Sequence, residues 1–275
     1  MSTDIVVPAI LFLCMVVLHV MRIRHLNPLK RLSDDEYELG AASTLGTRTV
    51  QQDYFGVKKN SGVLLMLLAD GIRDNGEIAA KLAVDTFRDL FDDPNSIQKP
   101  QYFFKRAANA TQQKIENTLE ERQGETSIVA AMVKGDELFY SLIGNCCVTV
   151  FRGGDLIPVS EGQTLDVLAK HRYQEGRISK QETLALLDRH RRYNVLGQDS
   201  FQEVEIFSKP LYLKNDDMVV LMSEGVLNTL RWVEIEEVLS KKNSVQTLAE
   251  EIIHLVNNSP MVDKDNASVL ICRRK

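Results

Sequence analysis

The stretch Val63-Leu64-Leu65-Met66-Leu67-Leu68-Ala69-Asp70-Gly71 is apolar without a break until it meets an acid and a glycine. A run of this length without alternation predicts a strand covered on both faces. Its terminal acid is then held by a sheet and points into space that a hard cation can reach. Asp53 after Gln51-Gln52, Glu224 before Gly225 and Asp265 before Asn266 stand in similar settings. Four carboxylates at the ends or starts of predicted strands suggest one oxygen-lined site for Mg²⁺ or Mn²⁺. Each acid taken alone fits a solvated turn better than a metal site.

Working outward, residues 54–57 read as a strand and 58–61 as the turn before the apolar run. Two helices are expected after it, over 76–91 and from 96 or 100 to 122. The second carries Phe103, Ala107, Ala110, Ile115 and Leu119 at helical spacing. Strands at 126–133, 138–143 and 148–152, separated by Gly-containing turns, read as an antiparallel meander. A helix over 178–190 opens with Ser179 and Glu182 at capping-box spacing. Strands at 204–207 and 218–222, helices at 232–239 and 245–256 and a last strand at 267–272 complete the pattern. Strands and helices come in runs, which predicts an α+β fold of antiparallel sheets with helices packed outside. No glycine-rich nucleotide fingerprint or NTPase phosphate loop is present.

With 275 residues, 44% of them apolar, the chain can bury one substantial core. Its net charge of -5 lacks the basic face expected of a nucleic-acid binder. Cys14, Cys146, Cys147 and Cys272 match neither a disulfide framework nor a zinc knuckle, so buried free thiols in a reducing compartment are expected.

Residues 5–21 contain no Asp, Glu, Lys or Arg. As a helix they would span about 25 Å, slightly short of the ~30 Å hydrocarbon core, a mismatch a bilayer absorbs. Arg22, Arg24, Lys30 and Arg31 follow the stretch while only Asp4 precedes it. The positive-inside rule then places a short N-terminus outside and the rest in the cytoplasm as a single-pass membrane protein. The expected organisation is an anchor over 1–22, a juxtamembrane linker over 23–42 and one domain over 43–275.

Several segments together resemble the metal-dependent type 2C (PPM) serine/threonine protein phosphatases in their bacterial form. These are Arg48-Thr49-Val50-Gln51-Gln52-Asp53, Asp70-Gly71 with the helix after it, Gly124-Glu125-Thr126, Gly144-Asn145, Ser223-Glu224-Gly225 and Asp265-Asn266. The helix from Ile178 and the Asn194-Val195-Leu196-Gly197 segment are similar to the family's flap. The resemblance spans residues of about 44 to 273. It implies an α-β-β-α sandwich of two central antiparallel sheets, with two Mg²⁺ or Mn²⁺ ions at one end. Asp53, Asp70, Gly71 through its carbonyl, Glu224 and Asp265 match the ligand positions, and Arg48 matches the phosphate-binding arginine. Arg48, Asp53 and Asp70 are accordingly the expected catalytic residues. The implied partners are a phosphorylated protein substrate and a cognate Ser/Thr kinase, together with the membrane bound through residues 5–21 and no nucleic acid.

The sequence departs from the family pattern at four places. Glu224 stands for the usual Asp, Asn145-Cys146-Cys147 for Asp-Ser-Arg, Gly162-Gln163 for Asp-His and Arg73-Asp74 for Gly-Gly. Ile72 occupies the position where some relatives carry a leaving-group histidine. Every core carboxylate position keeps an acid, so an active phosphatase is the expectation. The alternative is a pseudophosphatase that binds a phosphoprotein or kinase as a regulatory module without turnover.

Overall fold

Residues 63–71 fall in β3 (Val63–Ile72), flanked by antiparallel β2 (Asp53–Asn60) and β4 (Glu125–Lys134). Side chains of a strand alternate between faces, and both faces of β3 are covered. Leu64, Met66 and Leu68 enter a core between two sheets, while Leu65, Leu67 and Ala69 enter a second core beneath helices. That double coverage is why the run is apolar throughout. The computed structural model describes residue 29 and residues 32–275, apart from 121–122, 188–190, 200, 203 and 208.

One sheet has the order β2-β3-β4-β5-β8, with β5 at Glu137–Ile143 and β8 at Glu205–Ile206; β9 (Leu211–Tyr212) also pairs with β5. The other has the order β1-β11-β10-β6-β7, built from Tyr37–Thr44, Ala267–Arg274, Met218–Met222, Cys147–Arg152 and Asp155–Pro158. Helices α1 (Gly76–Leu90), α2 (Pro94–Gln98) and α3 (Pro100–Leu119) cover the first sheet, with Phe87, Phe103 and Phe104 at the centre of that core. The second sheet is covered by α7 (Trp232–Leu239) and α8 (Val245–Asn258), whose Ile235, Leu248 and Ile252 pack on Val220 and Ile271. The layers are helix, sheet, sheet, helix. Two helices, α4 (Leu165–Gln174) and α5 (Lys180–Leu186), form the segment between the meander and β8, and α5 has the expected Ser179–Glu182 capping box.

Three expectations need correction. The linker does not extend to 42, because Tyr37–Thr44 is β1, paired residue for residue with β11. Tyr37, Leu39 and Ala41 alternate into the core between the sheets, so the domain begins before residue 43. Glu224 does not close a strand; it opens α6 (Glu224–Thr229), directly after β10. Residues 165–174, left without an element in the sequence pattern, form α4. The expected membrane anchor at 5–21 lies outside the described residues, and among those described no helix is long and apolar enough to cross a membrane. Cys146, Cys147 and Cys272 are buried and free.

Candidate active site

The two strands of the β2–β3 hairpin are joined by Ser61-Gly62, both at positive φ, the geometry of a two-residue turn. Counting back from that turn pairs Asp53 with Asp70. Phe55 and Val57 on β2, like Leu64, Met66 and Leu68 on β3, pack in the core between the sheets. Asp53 and Asp70 extend these two rows past the last apolar side chain, so both carboxylates stand at the end of the sandwich. They are 6% and 8% exposed.

Burial and proximity raise both pKa values. Asp53 is pushed up to about 6, chiefly by desolvation, with the hydrogen bond from Ser223 acting the other way. Asp70 is pushed well above the carboxylate range, by desolvation first and then by the charge of Asp53, with Glu224 and Asp265 adding to it. Ser223 is the N-cap residue of α6, yet its hydroxyl caps nothing there. It donates to Asp53 Oδ2 at 2.8 Å and accepts from Ser268 N at 2.9 Å, joining the two sheets behind the acids. Asp53 Oδ1 is buried and accepts no hydrogen bond among the described residues. The Ser268 hydroxyl lies close enough to lower the Asp53 pKa without making a hydrogen bond of ordinary geometry.

Close backbone packing shapes the floor. A Cβ on Gly71 would collide with the carbonyls of Gly76 and Gln52, and one on Gly225 with the Asn266 carbonyl. These contacts bring the start of α6 against the loop that carries Asp265. Asn266 ties that loop to the approach to β2, accepting from Gln52 N at 2.8 Å and donating to Leu45 O at 3.0 Å. Arg73 has φ of 67°, a left-handed conformation better suited to the glycine of the family pattern. Its side chain turns to Glu125 at 2.9 Å and Gln123 at 3.0 Å.

The outer acids are engaged by arginines. Arg48 donates from Nε to Asp265 Oδ1 at 3.1 Å and lies 3.3 Å from Asp263 through Nη1, with its side chain 46% exposed. Arg192, which the sequence pattern did not single out, donates to Asn145 Oδ1 at 2.6 Å and to Asp70 Oδ2 at 3.4 Å, and pairs with Glu224 Oε2. Asn145 is in turn held by Ser127 Oγ at 3.1 Å. The only sequence signal for Arg192 is its place in the basic cluster Arg189-His190-Arg191-Arg192 ahead of Gly197. Nothing in that cluster says which side chain turns inward.

Gln163 fixes the segment that delivers Arg192. Its amide oxygen accepts from Gly144 N and Asn194 Nδ2, and its backbone bonds Gly144 O and Tyr193 N. Farther along, Leu196 and Thr126 exchange both backbone hydrogen bonds, fastening this segment to β4. A cleft of about 460 Å³ opens over the site, with Arg48, Arg73 and Arg192 around Asp70 and Asp265.

The family model described as Protein phosphatase 2C matches residues 42–259, most of the chain. The chain belongs to the protein phosphatase 2C family. Among its curated relatives is "Serine/threonine phosphatase stp" of Listeria welshimeri, 22% identical over 223 residues that cover 76% of this chain and 84% of the relative. Another is "Protein phosphatase PhpP" of Streptococcus pneumoniae, 23% identical over 227 residues, covering 78% and 89% respectively. Of solved structures, the serine/threonine phosphatase of S. agalactiae superposes with a TM-score of 0.75 at 19% identity, covering 87% of this chain and all of the other. Protein-serine/threonine phosphatase is therefore the enzyme class into which this protein phosphatase 2C falls.

Protein phosphatases 2C generally use Mg²⁺ or Mn²⁺, and the donors here divide on that test. Asp53 and Asp70, two buried like charges with one carboxylate oxygen lacking a hydrogen bond, fit a hard cation. Glu224 and Asp265 already face guanidinium groups. Among the described residues, no three Asp, Glu, His or Cys side chains gather closely enough to hold one ion as they stand.

Proposed function

We propose that this protein phosphatase 2C is a membrane-tethered, metal-dependent enzyme that hydrolyses phosphoserine and phosphothreonine in proteins on the cytoplasmic side. The observation that carries the metal-dependent reading is the register-paired Asp53–Asp70 couple, with its unbonded Asp53 Oδ1, beneath an arginine-lined cleft. Asp53, Asp70 and the Gly71 carbonyl would hold the divalent ion, with Glu224 and Asp265 at its outer margin. Such an ion supplies the Lewis-acid charge that phosphate-monoester hydrolysis needs.

The chain's own residues do the rest. Ser223 orients Asp53 by binding Oδ2. Arg48, half-exposed and aligned by Asp265 and Asp263, offers planar donors to the phosphoryl oxygens, both positioning the substrate and offsetting its charge. Ile72 beside Gly71 has no proton to give, so the leaving alkoxide is protonated by solvent. The tether rests on the uncharged residues 5–21 and the basic residues after them.

The engagement of Glu224 and Asp265 by arginines favours a second reading, a phosphoprotein-binding module without turnover. One experiment separates the two. The full chain, reconstituted with phospholipid vesicles, is given a phosphothreonine peptide under a series of Mn²⁺ and Mg²⁺ concentrations. Metal-dependent phosphate release that sediments with the vesicles and is lost in Asp70→Asn supports the enzyme. A folded, metal-binding chain with no turnover across the series would overturn it in favour of the binding module.

A further inference from the structure

We infer that Arg192 is the resident cation of the outer half of this site, and that the chain holds one divalent ion, on Asp53 and Asp70. This rests on the metal-dependent reading above and narrows the two-ion expectation drawn from the family resemblance.

The geometry is that of a cation bound by three oxygens. The Arg192 guanidinium meets Asn145 Oδ1, Asp70 Oδ2 and Glu224 Oε2 from the one group, with its side chain 19% exposed. It reaches them from a segment that is itself anchored. Arg192 bridges Thr164, Arg191 O accepts from Leu165 N and Tyr193 N bonds Gln163 O. The cradle is fixed from the other side as well, because Ser127 holds Asn145 and β10 leads directly into Glu224.

Asn145 favours the same assignment. At the position where the family pattern has an aspartate, it presents a neutral oxygen that a guanidinium hydrogen-bonds well and that attracts a divalent ion less than a carboxylate would.

The test is the number of ions bound, read by calorimetric titration of the full chain with Mn²⁺ and by elemental analysis after desalting. Wild type should bind one Mn²⁺ per chain, Arg192→Lys one, and Arg192→Gln two, the second on Glu224. Circular dichroism checks that Arg192→Gln is folded. The wild-type stoichiometry stands as a test even if that variant is not. Two ions in wild type would overturn the inference and leave metal-dependent phosphatase activity standing. One ion in a folded Arg192→Gln would overturn the assignment of Arg192 as the competing cation. No ion in any of the proteins would remove the metal-dependent reading and this inference with it.

Discussion

The two pairs of acids at this site are built in opposite ways. Asp53 and Asp70 face each other across one hairpin, buried and mutually repelling, and Asp53 Oδ1 lacks any hydrogen bond among the described residues. Glu224 and Asp265 come from a helix start and a loop on the second sheet, and each is held by an arginine. The inner pair stores unfavourable charge that a ligand can relieve, whereas the outer pair is already largely relieved by the chain itself. On the proposed reading, the inner pair is what draws a cation and the outer pair is what sets how many are held.

The most damaging way to break that contrast is to remove the guanidinium that bridges it. In chelator-treated protein, Arg192→Met should lower stability by about 3 kcal/mol, the lower end for a broken buried ion pair because Glu224 and Arg192 are about one-fifth exposed. Chemical denaturation at pH 7.5 measures this, and Mn²⁺ should restore much of the loss. A variant as stable as wild type without metal would mean that the outer pair does not depend on Arg192.

A smaller effect should follow from pH. Asp53 rises from 3.8 to about 6 on folding, so the folded chain binds the proton more tightly than the unfolded one. The resulting stability is fully present below pH 4 and is lost as pH rises through 6. Asp70 shifts in the same direction and extends the loss upward. Metal-free protein should therefore gain on the order of 2 kcal/mol between pH 7.5 and pH 5, less whatever other groups lose. Asp53→Asn should flatten that slope. Melting curves across this range would contradict the inner-pair account if wild type and Asp53→Asn ran parallel.

The smallest structural effect is expected at the cleft edge. Arg48→Ala should change stability by less than about 1 kcal/mol, since its ion pairs with Asp263 and Asp265 are half-exposed or more. Its cost should fall on turnover instead, roughly a hundredfold in kcat/KM on a phosphothreonine peptide. A large loss of stability with unchanged kinetics would reassign Arg48 to holding the Asp265 loop.

What was legible in the sequence was legible for local reasons. Residues 63–69 announced a central strand because both faces are covered, and Ser179 with Glu182 announced a helix start because a capping box is made within four residues. β1 was missed because Tyr37, Leu39 and Ala41 alternate with residues as small as Gly40 and Ala42, directly after an acidic cluster. α4 was missed because it buries only Asp166 and Ala169 and so carries no apolar stripe. The four acids could be proposed as a set from their neighbours, and Arg48 from the family resemblance. That Arg48 already binds Asp265, or that Arg192 rather than Arg191 turns toward Glu224, depends on how α4, the Gln163 hub and the second sheet come together. No short pattern encodes that.

The hairpin that pairs Asp53 with Asp70 also bears on the order in which the site is assembled. Those residues are only seventeen positions apart and meet as soon as one tight turn closes, an event on the microsecond scale for isolated hairpins. Arg192 and Glu224 arrive only when distant segments dock, which loop-closure entropy delays. A hairpin that closes first would bring two like charges together before Arg192 is in place. Proton uptake and ions from the surrounding solution would then share in neutralising them.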